Sequence, residues 1–284
     1  MPELPEVETI VRRLQTVLPG KTIASVAVRH PKSFVGAHEQ LAGAEITGIS
    51  RRAKIARIHL STGAEILVHL KMTGQLIYQD GQTRLGGGHP TADWTNQLPS
   101  KHTRVVLELS DSATLFFNDM RIFGWMKLLD AAGVQAELAA YAPDIIDPAI
   151  TPAYLAEKFA RRRVAIKQVV MDNAVVAGVG NIYANDALFL AGLHPARPAD
   201  SLTLEEIKTL YQALVQVIEA GVVAGGATID TYFQVDGFSG KYQEMVKVYK
   251  QEGKPCLVCG TLIERIKQGG RSSFLCPHCQ PLLA

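Results

Sequence analysis

Cysteine and tryptophan are scarce in this chain, four of one and two of the other among 284 residues, and every cysteine lies beyond residue 255. Cysteines confined to one end cannot staple the rest, so stability elsewhere has to come from a hydrophobic core. Hydrophobic residues make up 47% of the chain, enough for that core. A run of about 18 apolar residues is missing, which excludes a helical membrane span. The acidic N-terminus lacks the basic-then-apolar order of a secretory signal, so a cytoplasmic protein is expected. An excess of one charge is missing too. Lys and Arg number 29 against 27 Asp and Glu, a formal net charge of +2, which by itself says little for a polyanionic partner. The distribution says more: residues 1–150 hold 15 basic and 15 acidic side chains, whereas 241–284 hold seven and three.

The stretch around which the chain is organised is its beginning, Met1-Pro2-Glu3-Leu4-Pro5-Glu6-Val7-Glu8-Thr9. A small residue after Met1 invites Met removal, which would leave Pro2 as a secondary amine. An α-amine titrates near ~8 and is therefore largely nucleophilic at working pH, unlike a lysine. Val7, Ile10, Val11, Leu14 and Leu18 recur at helical spacing, and Pro5 suits a first helical turn. Glu3, Glu6 and Glu8 carry the sign that a helix N-terminus favours. An amine beside carboxylates at a helix start is equipped for imine chemistry, although an ordinary acidic helix start has the same residues.

After a stop at Pro19-Gly20, short β-branched or alternating runs follow at Thr22–Arg29, Ala44–Ser50, Ile55–Leu60, Ala64–Leu70, Val105–Leu109 and Thr114–Asn118. Such runs separated by turns predict an antiparallel sandwich or barrel. Asp80–Ser100 shows no period and is rich in Gly, Thr and Pro, so a long loop is expected. Pro143 and Pro148 mark a linker. Beyond it Thr151-Pro152 can cap a helix ending in Arg161-Arg162-Arg163, and Thr203 with Glu206 forms a capping box ahead of Ile207, Leu210, Tyr211, Leu214 and Ile218. Gly178-Val179-Gly180-Asn181 reads as a plain tight turn or as backbone donors for a phosphate at a helix start. His69 and Met72, at the end of an apolar strand, suit core packing. Arg121 beside Phe123 suits stacking or a loop ion pair. Tyr232 and Phe233, near Gly225-Gly226, could belong to a loop that covers a base or simply anchor that loop.

The most specific spacing is Cys256-x2-Cys259, sixteen residues, then Cys276-x2-Cys279, which predicts a zinc site. Four thiolates leave no open position, so a single structural Zn2+ is expected. Gln268-Gly269-Gly270 between two β-like runs predicts a hairpin with Arg271 at its tip. Two basic clusters, Arg161, Arg162, Arg163 and Lys167, then Lys254, Arg265, Lys267 and Arg271, together point toward nucleic acid.

In order along the chain, MPELPEVET, Arg51-Arg52-Ala53-Lys54, His69-Leu70-Lys71-Met72-Thr73-Gly74, Lys101-His102-Thr103, Asp119–Gly124, Gly178–Tyr183 and Gly270–Gln280 resemble the formamidopyrimidine-DNA glycosylases of bacteria. The resemblance runs end to end. It implies an α+β multidomain fold: an N-terminal helix with an antiparallel β-sandwich, a helix–two-turn–helix domain and a four-cysteine zinc hairpin, with DNA in the cleft between them. Boundaries expected on this basis are 1–132, a linker at 133–150, 151–240 and 241–284. The family's activity would be excision of oxidised purines from damaged double-stranded DNA by a monomer, with strand cleavage at the resulting abasic site. Carried over residue by residue, Pro2 is the nucleophile, Glu3 the acid/base group, Lys54 the proton donor for β-elimination and Arg271 that for δ-elimination. His102, Arg121 and Arg162 fall on DNA contacts, and His69, Lys54 and Asn181 on phosphate-clamping positions. Met72, Arg121 and Phe123 match the trio that fills the vacated stack, and Gly225–Gly240 the base-covering loop. Met120, Ile122 and Arg104 depart from the family's usual residues. Relatives preferring oxidised pyrimidines begin Pro-Glu-Gly-Pro-Glu, where this chain has Leu4. A non-catalytic zinc protein that binds DNA would have no use for Pro2, Glu3 and Lys54 together.

Overall fold

The structure, a computed structural model, describes residues 1–88, 97–227, 233–234 and 240–282. Two compact units emerge, Met1–Ala139 with Ala224–Gln243, and Ala140–Val223 with Glu244–Ala284. Residues 224–243 thus group with the first unit rather than with the helices they follow, and the zinc hairpin groups with the helices.

The first unit opens with α1 (Leu4–Leu14), which buries Leu4, Val7, Ile10, Val11 and Leu14. It ends five residues ahead of the predicted Pro19 stop, in a turn where the Leu18 N–H donates to Leu14 O at 2.9 Å and Leu18 joins the core. There follow β1 (Ile23–Val28), β2 (Phe34–Val35), β3 (Ile46–Arg52), β4 (Ile55–Leu60), β5 (Glu65–His69), β6 (Gly74–Gln79), β7 (Arg84–Gly88), β8 (Thr103–Leu109), β9 (Thr114–Asp119) and β10 (Trp125–Leu129). One sheet has the order β1-β8-β9-β6-β7-β11, where β11 is Phe233–Gln234, and the other β2-β10-β5-β4-β3. All pairings are antiparallel except β10 with β2. Inward-facing apolar side chains of both sheets, including Ile58, Ile66, Leu76, Leu107 and Phe117, form one core with the apolar face of α1. The helix packs on β7 of one sheet and on β3 and β4 of the other.

Two expectations fail here. The loop placed at Asp80–Ser100 contains β7, whose Arg-Leu-Gly-Gly-Gly sequence carries no β signal. Its glycines serve close approach to β6: a Cβ on Gly86 would stand 2.1 Å from Leu76 O, and one on Gly88 2.3 Å from Gly74 O. Residues 89–96 of that segment lie outside those described. The stretch placed in the linker contains α2 (Ala131–Leu138), started by Asp130, whose carboxylate accepts from the Gly133 N–H at 2.8 Å. It buries Val134 and no other residue, too little apolar periodicity to announce itself.

The second unit is helical: α3 (Pro152–Phe159), α4 (Ile166–Val170), α5 (Asn181–Leu190) and α6 (Leu204–Val223), followed by the hairpin β12 (Glu264–Gln268) and β13 (Arg271–Leu275). Thr151 caps α3, accepting from the Tyr154 N–H at 3.1 Å, but the helix stops at Phe159, before the arginines. The Thr203–Glu206 capping box forms, with the Thr203 N–H donating to Glu206 at 2.8 Å. Arg197 also binds Glu206, and that hydrogen bond, despite some desolvation, holds the carboxyl at a pKa of about 2. Among the described residues no helix is long and apolar enough to cross a membrane.

Candidate active site and zinc hairpin

In the first unit the start of α1 is buried on every side. Pro2 is buried, Glu3 is 3% exposed and Glu6 2%. Glu3 is the N-cap residue, and its N–H donates to Glu6 Oε2 at 2.8 Å in a capping box. Glu6 Oε1 accepts from the Ala227 N–H at 2.8 Å, so one carboxylate ties the helix start to the chain 221 residues later. The α-amine of Met1, the residue ahead of Pro2, has its pKa lowered by burial, opposed by the carboxylates of Glu3 and Glu6 and reinforced by the Lys54 ammonium. That electrostatic set is the observation that unites Glu3 and Lys54 around the N-terminus.

Lys54, 4% exposed, is presented by the β3–β4 turn. Ala53 just before it takes a left-handed backbone, φ 54°. Arg51 holds that turn against the helix: its Nη1 donates to Ala53 O at 2.8 Å while its Nε donates to Glu8 Oε2 at 2.8 Å. Burial alone would raise the Glu8 pKa, but hydrogen bonds from Arg51 and Arg12 outweigh it and hold the carboxyl below its ordinary value. Glu6, Glu8 and Arg51 are functional supports that residue counting missed. Their charges looked like helix-dipole and basic-run features, and their partners are remote in sequence.

His69 follows across the sheet, with Ile55 paired opposite it. It is 5% exposed, and burial, aided by the charges of Lys71 and Lys54, lowers its pKa to about 3. Its Nδ1 accepts from the Lys71 N–H at 3.0 Å, so the proton resides on Nε2 and the ring is a neutral donor. Met72 departs from the core expectation: it is 40% exposed, and Phe123, on a loop joined to its own through Thr73 and Asp119, is 51% exposed. The Arg121 guanidinium lies 4.6 Å from the Phe123 ring centroid, a cation–π contact. His102 is half-buried, and its main-chain oxygen accepts from the Asp119 N–H at 2.9 Å. Arg104 is engaged within the unit, with Nε donating to Asp119 O at 2.7 Å.

The second unit gathers the other candidates. Asn181 opens α5 after the N-cap Gly180, and its Nδ2 donates to Ser272 O at 3.3 Å. Lys167, 2% exposed, donates to the same oxygen at 2.7 Å and to Ser273 Oγ at 2.8 Å, which fixes the strand that begins at Arg271. Arg271 shares a cavity of about 280 Å³ with Lys167 and Asp172, and Arg162 pairs with Asp172 at 3.1 Å. Tyr232, the Phe233 side chain and most of Gly225–Gly240 fall outside the described residues.

The four cysteine sulfurs lie within 4.8 Å of one another, with separations of 3.4, 3.5 and 3.9 Å among them. A tetrahedron with Zn–S of about 2.3 Å requires sulfurs ~3.8 Å apart, so the set fits the ion. Around it Gln280 accepts from the Cys276 N–H at 3.1 Å and donates to Leu193 O at 2.8 Å, while Asn185 on α5 accepts from the Phe274 N–H at 2.7 Å. The knuckles are thereby fastened to the helical unit. One structural zinc belongs here, and all four of its positions go to protein thiolates.

A helix-headed β-sandwich with Pro2 and Glu3 buried at its start, joined in one chain to a helical unit bearing a four-thiolate hairpin, is the architecture that the resemblance to DNA glycosylases implies. Family models agree: the formamidopyrimidine-DNA glycosylase N-terminal domain over residues 1–126, the H2TH domain of the same enzymes over 141–233, and a zinc finger found in FPG and IleRS over 253–282. A formamidopyrimidine-DNA glycosylase from Pelotomaculum thermopropionicum is 39% identical over 287 residues, covering 99% of each chain. The crystal structure of MutM (Fpg) from Thermus thermophilus superposes with a TM-score of 0.86 at 35% identity, covering 98% of both chains. A Lactococcus lactis Fpg variant in complex with a Fapy-dG-containing DNA superposes at 0.87 with 28% identity, covering 99% of this chain and 100% of that one. The chain belongs to the formamidopyrimidine-DNA glycosylase family, whose members are DNA glycosylases and AP lyases.

Proposed function

We propose that this enzyme removes oxidised purines, 8-oxoguanine and formamidopyrimidines, from damaged duplex DNA and cuts the strand through an imine on Pro2, acting as a monomer in the bacterial cytoplasm. The observation that carries the proposal is the burial of Pro2, Glu3 and Lys54, with the Met1 α-amine beside them feeling the charges of Glu3, Glu6 and Lys54. Removal of Met1 exposes the Pro2 secondary amine at that place. Burial lowers the proton affinity of an amine there, which leaves more of it as free base.

The damaged nucleotide leaves the stack, since its glycosidic bond is out of reach inside a duplex. Met72, Arg121 and Phe123 fill the gap and keep the duplex kinked. The Pro2 nitrogen bonds to C1′ as the bond from C1′ to the base breaks, and Glu3 supplies the proton that opens the sugar ring at O4′. The resulting iminium draws electrons from C2′, whose proton is lost as the C3′–O bond breaks and the 3′ phosphate departs, with Lys54 as proton donor. A second elimination breaks C5′–O, with Arg271 as donor, and water hydrolyses the imine to return Pro2. His69, Lys54 and Asn181 hold phosphates, and His102, Arg121 and Arg162 contact the DNA. Phosphate contacts position the duplex without reading its sequence.

Borohydride added during turnover on an 8-oxoguanine duplex should trap a covalent adduct, and peptide mapping should place it on Pro2. One residue added ahead of Pro2 turns the amine into an amide and should abolish trapping. Glu3→Gln should lose base excision yet still cut a pre-formed abasic site, which offers an aldehyde directly. An adduct that survives the blocked terminus and vanishes in Lys54→Ala would make Lys54 the nucleophile and overturn the proposal.

A further inference from the structure

Asp119, at the end of β9, is completely buried and takes no part in the steps above. Its carboxylate accepts from four donors on two loops. Oδ1 receives the Thr73 hydroxyl and the Arg121 N–H (3.2 Å), and Oδ2 receives the N–H groups of Phe123 (2.7 Å) and Gly124 (2.6 Å). Thr73 is the neighbour of Met72, so this one carboxylate ties the Met72 loop to the loop of Arg121 and Phe123. Gly124 leaves it room, since a Cβ there would stand 3.1 Å from Oδ2. Behind it, Arg104 Nε donates to the main-chain oxygen of Asp119 at 2.7 Å and Nη1 to Lys101 O at 3.3 Å.

What the clamp holds is a backbone that would not otherwise persist. Ile122, between Arg121 and Phe123, has φ 57°, a left-handed conformation that β-branched residues avoid. That conformation reverses the chain between its neighbours and brings the Arg121 guanidinium over the Phe123 ring. A residue in such a state needs surroundings that over-determine it, and the hydrogen bonds to the N–H groups of Arg121, Phe123 and Gly124 flank Ile122 on both sides.

We propose that Asp119 is a positioning residue for base extrusion: by clamping both loops and holding Ile122 left-handed, it sets Met72, Arg121 and Phe123 as one rigid wedge before DNA is met. This rests on the void-filling role given above to that trio. Arg104 acts in the same device, bracing the wedge through the main-chain oxygens of Asp119 and Lys101.

The test uses the zinc-loaded full chain under single-turnover conditions, on an 8-oxoguanine duplex and on a single strand carrying a pre-formed abasic site. Asp119→Asn keeps the shape but turns an amide N–H2 toward backbone donors. It should slow excision from duplex at least tenfold more than cleavage of the abasic single strand. Adding Ile122→Gly should recover most of that loss, because glycine holds φ > 0 without a clamp; a merely structural aspartate would give no such rescue. Equal losses on both substrates, no loss at all, or no rescue would overturn the proposal. Should Asp119→Asn fail to fold, Thr73→Val decides, with a several-fold loss confined to duplex as the supporting outcome and an equal loss as the opposing one. Phe123→Ala, run alongside, examines the wedge itself: equal losses on both substrates there would remove the void-filling role whatever Asp119 does.

Discussion

Single residues in this enzyme are tuned mainly by burial, and His69 shows the consequence. Its ring is tilted against Trp125 with centroids 5.6 Å apart, and the pKa of about 3 keeps it neutral in any buffer in which the enzyme works. In the DNA-free chain His69 therefore offers a neutral Nε2–H donor rather than an imidazolium. Stability feels the same shift. The folded pKa lies below the unfolded value of 6.5, so below that pH the unfolded chain gains a proton that the folded chain refuses. The contribution is complete above pH 6.5 and is lost as pH falls from there toward about 3, at up to about 1.4 kcal/mol per pH unit. Urea unfolding followed by Trp125 fluorescence in a Trp94→Phe background should show this slope, and His69→Phe should flatten it. Glu8 adds to the same acid limb at lower pH, because its carboxyl is held below its ordinary value and, once it is protonated, Arg51 loses its partner. A slope unchanged by His69→Phe would mean that other groups carry the acid sensitivity.

At the scale of elements, close backbone approach governs what the sequence could not announce. The crossing of α5 and α6 depends on Gly221, where a Cβ would stand 2.5 Å from Tyr183 Cε1 and 2.7 Å from its hydroxyl. Tyr183 is fully buried and has no room to withdraw. Alanine would gain about 1 kcal/mol in helix propensity, but overpacking of this severity costs about 1–3 kcal/mol. Gly221→Ala should therefore destabilise the helical unit by up to about 2 kcal/mol, seen as a lower melting temperature; a rise would show that the ring can shift. The same physics explains which strands were legible. The runs at Ile23–Val28, Ile55–Leu60 and Thr103–Leu109 are β-branched or alternate, and they form strands. β6 buries its first five residues in a row and β7 is mostly glycine, so neither has a period to read. The zinc hairpin was fully legible because its ligands, turn and strands all lie within one short stretch. Asp119 was not: its hydroxyl partner lies 46 residues away, and an aspartate ahead of Met-Arg looks like any loop acid.

Taken whole, the molecule has a net charge of only +2 and belongs to a family that handles a polyanion, so affinity has to come from where the charge lies. Several basic side chains are already paired internally: Arg51 and Arg12 with Glu8, Arg57 with Glu65, Arg197 with Glu206 and Lys127 with Glu137. These pairs explain why counting Lys and Arg from the sequence overstates what is left for DNA. Arg162 is a different case. Its partner Asp172 is at 3.1 Å, but the side chains are 38% and 41% exposed, and an ion pair so open to water is worth at most about 1 kcal/mol. A DNA phosphate can therefore draw Arg162 away from Asp172 at small cost. Arg162→Ala should weaken binding to damaged and undamaged duplex alike, and the slope of log K against log salt should become shallower by about one unit. Asp172→Asn removes the competitor while keeping an oxygen to accept from the Ala174 N–H, now at 3.0 Å. It should strengthen binding to both duplexes severalfold at low salt. Fluorescence anisotropy over a salt series measures both variants on both duplexes. If the loss in Arg162→Ala is confined to lesion-containing DNA, Arg162 is recognising the damaged nucleotide rather than neutralising a phosphate. If Asp172→Asn weakens binding instead, Asp172 is holding Arg162 in place rather than competing for it.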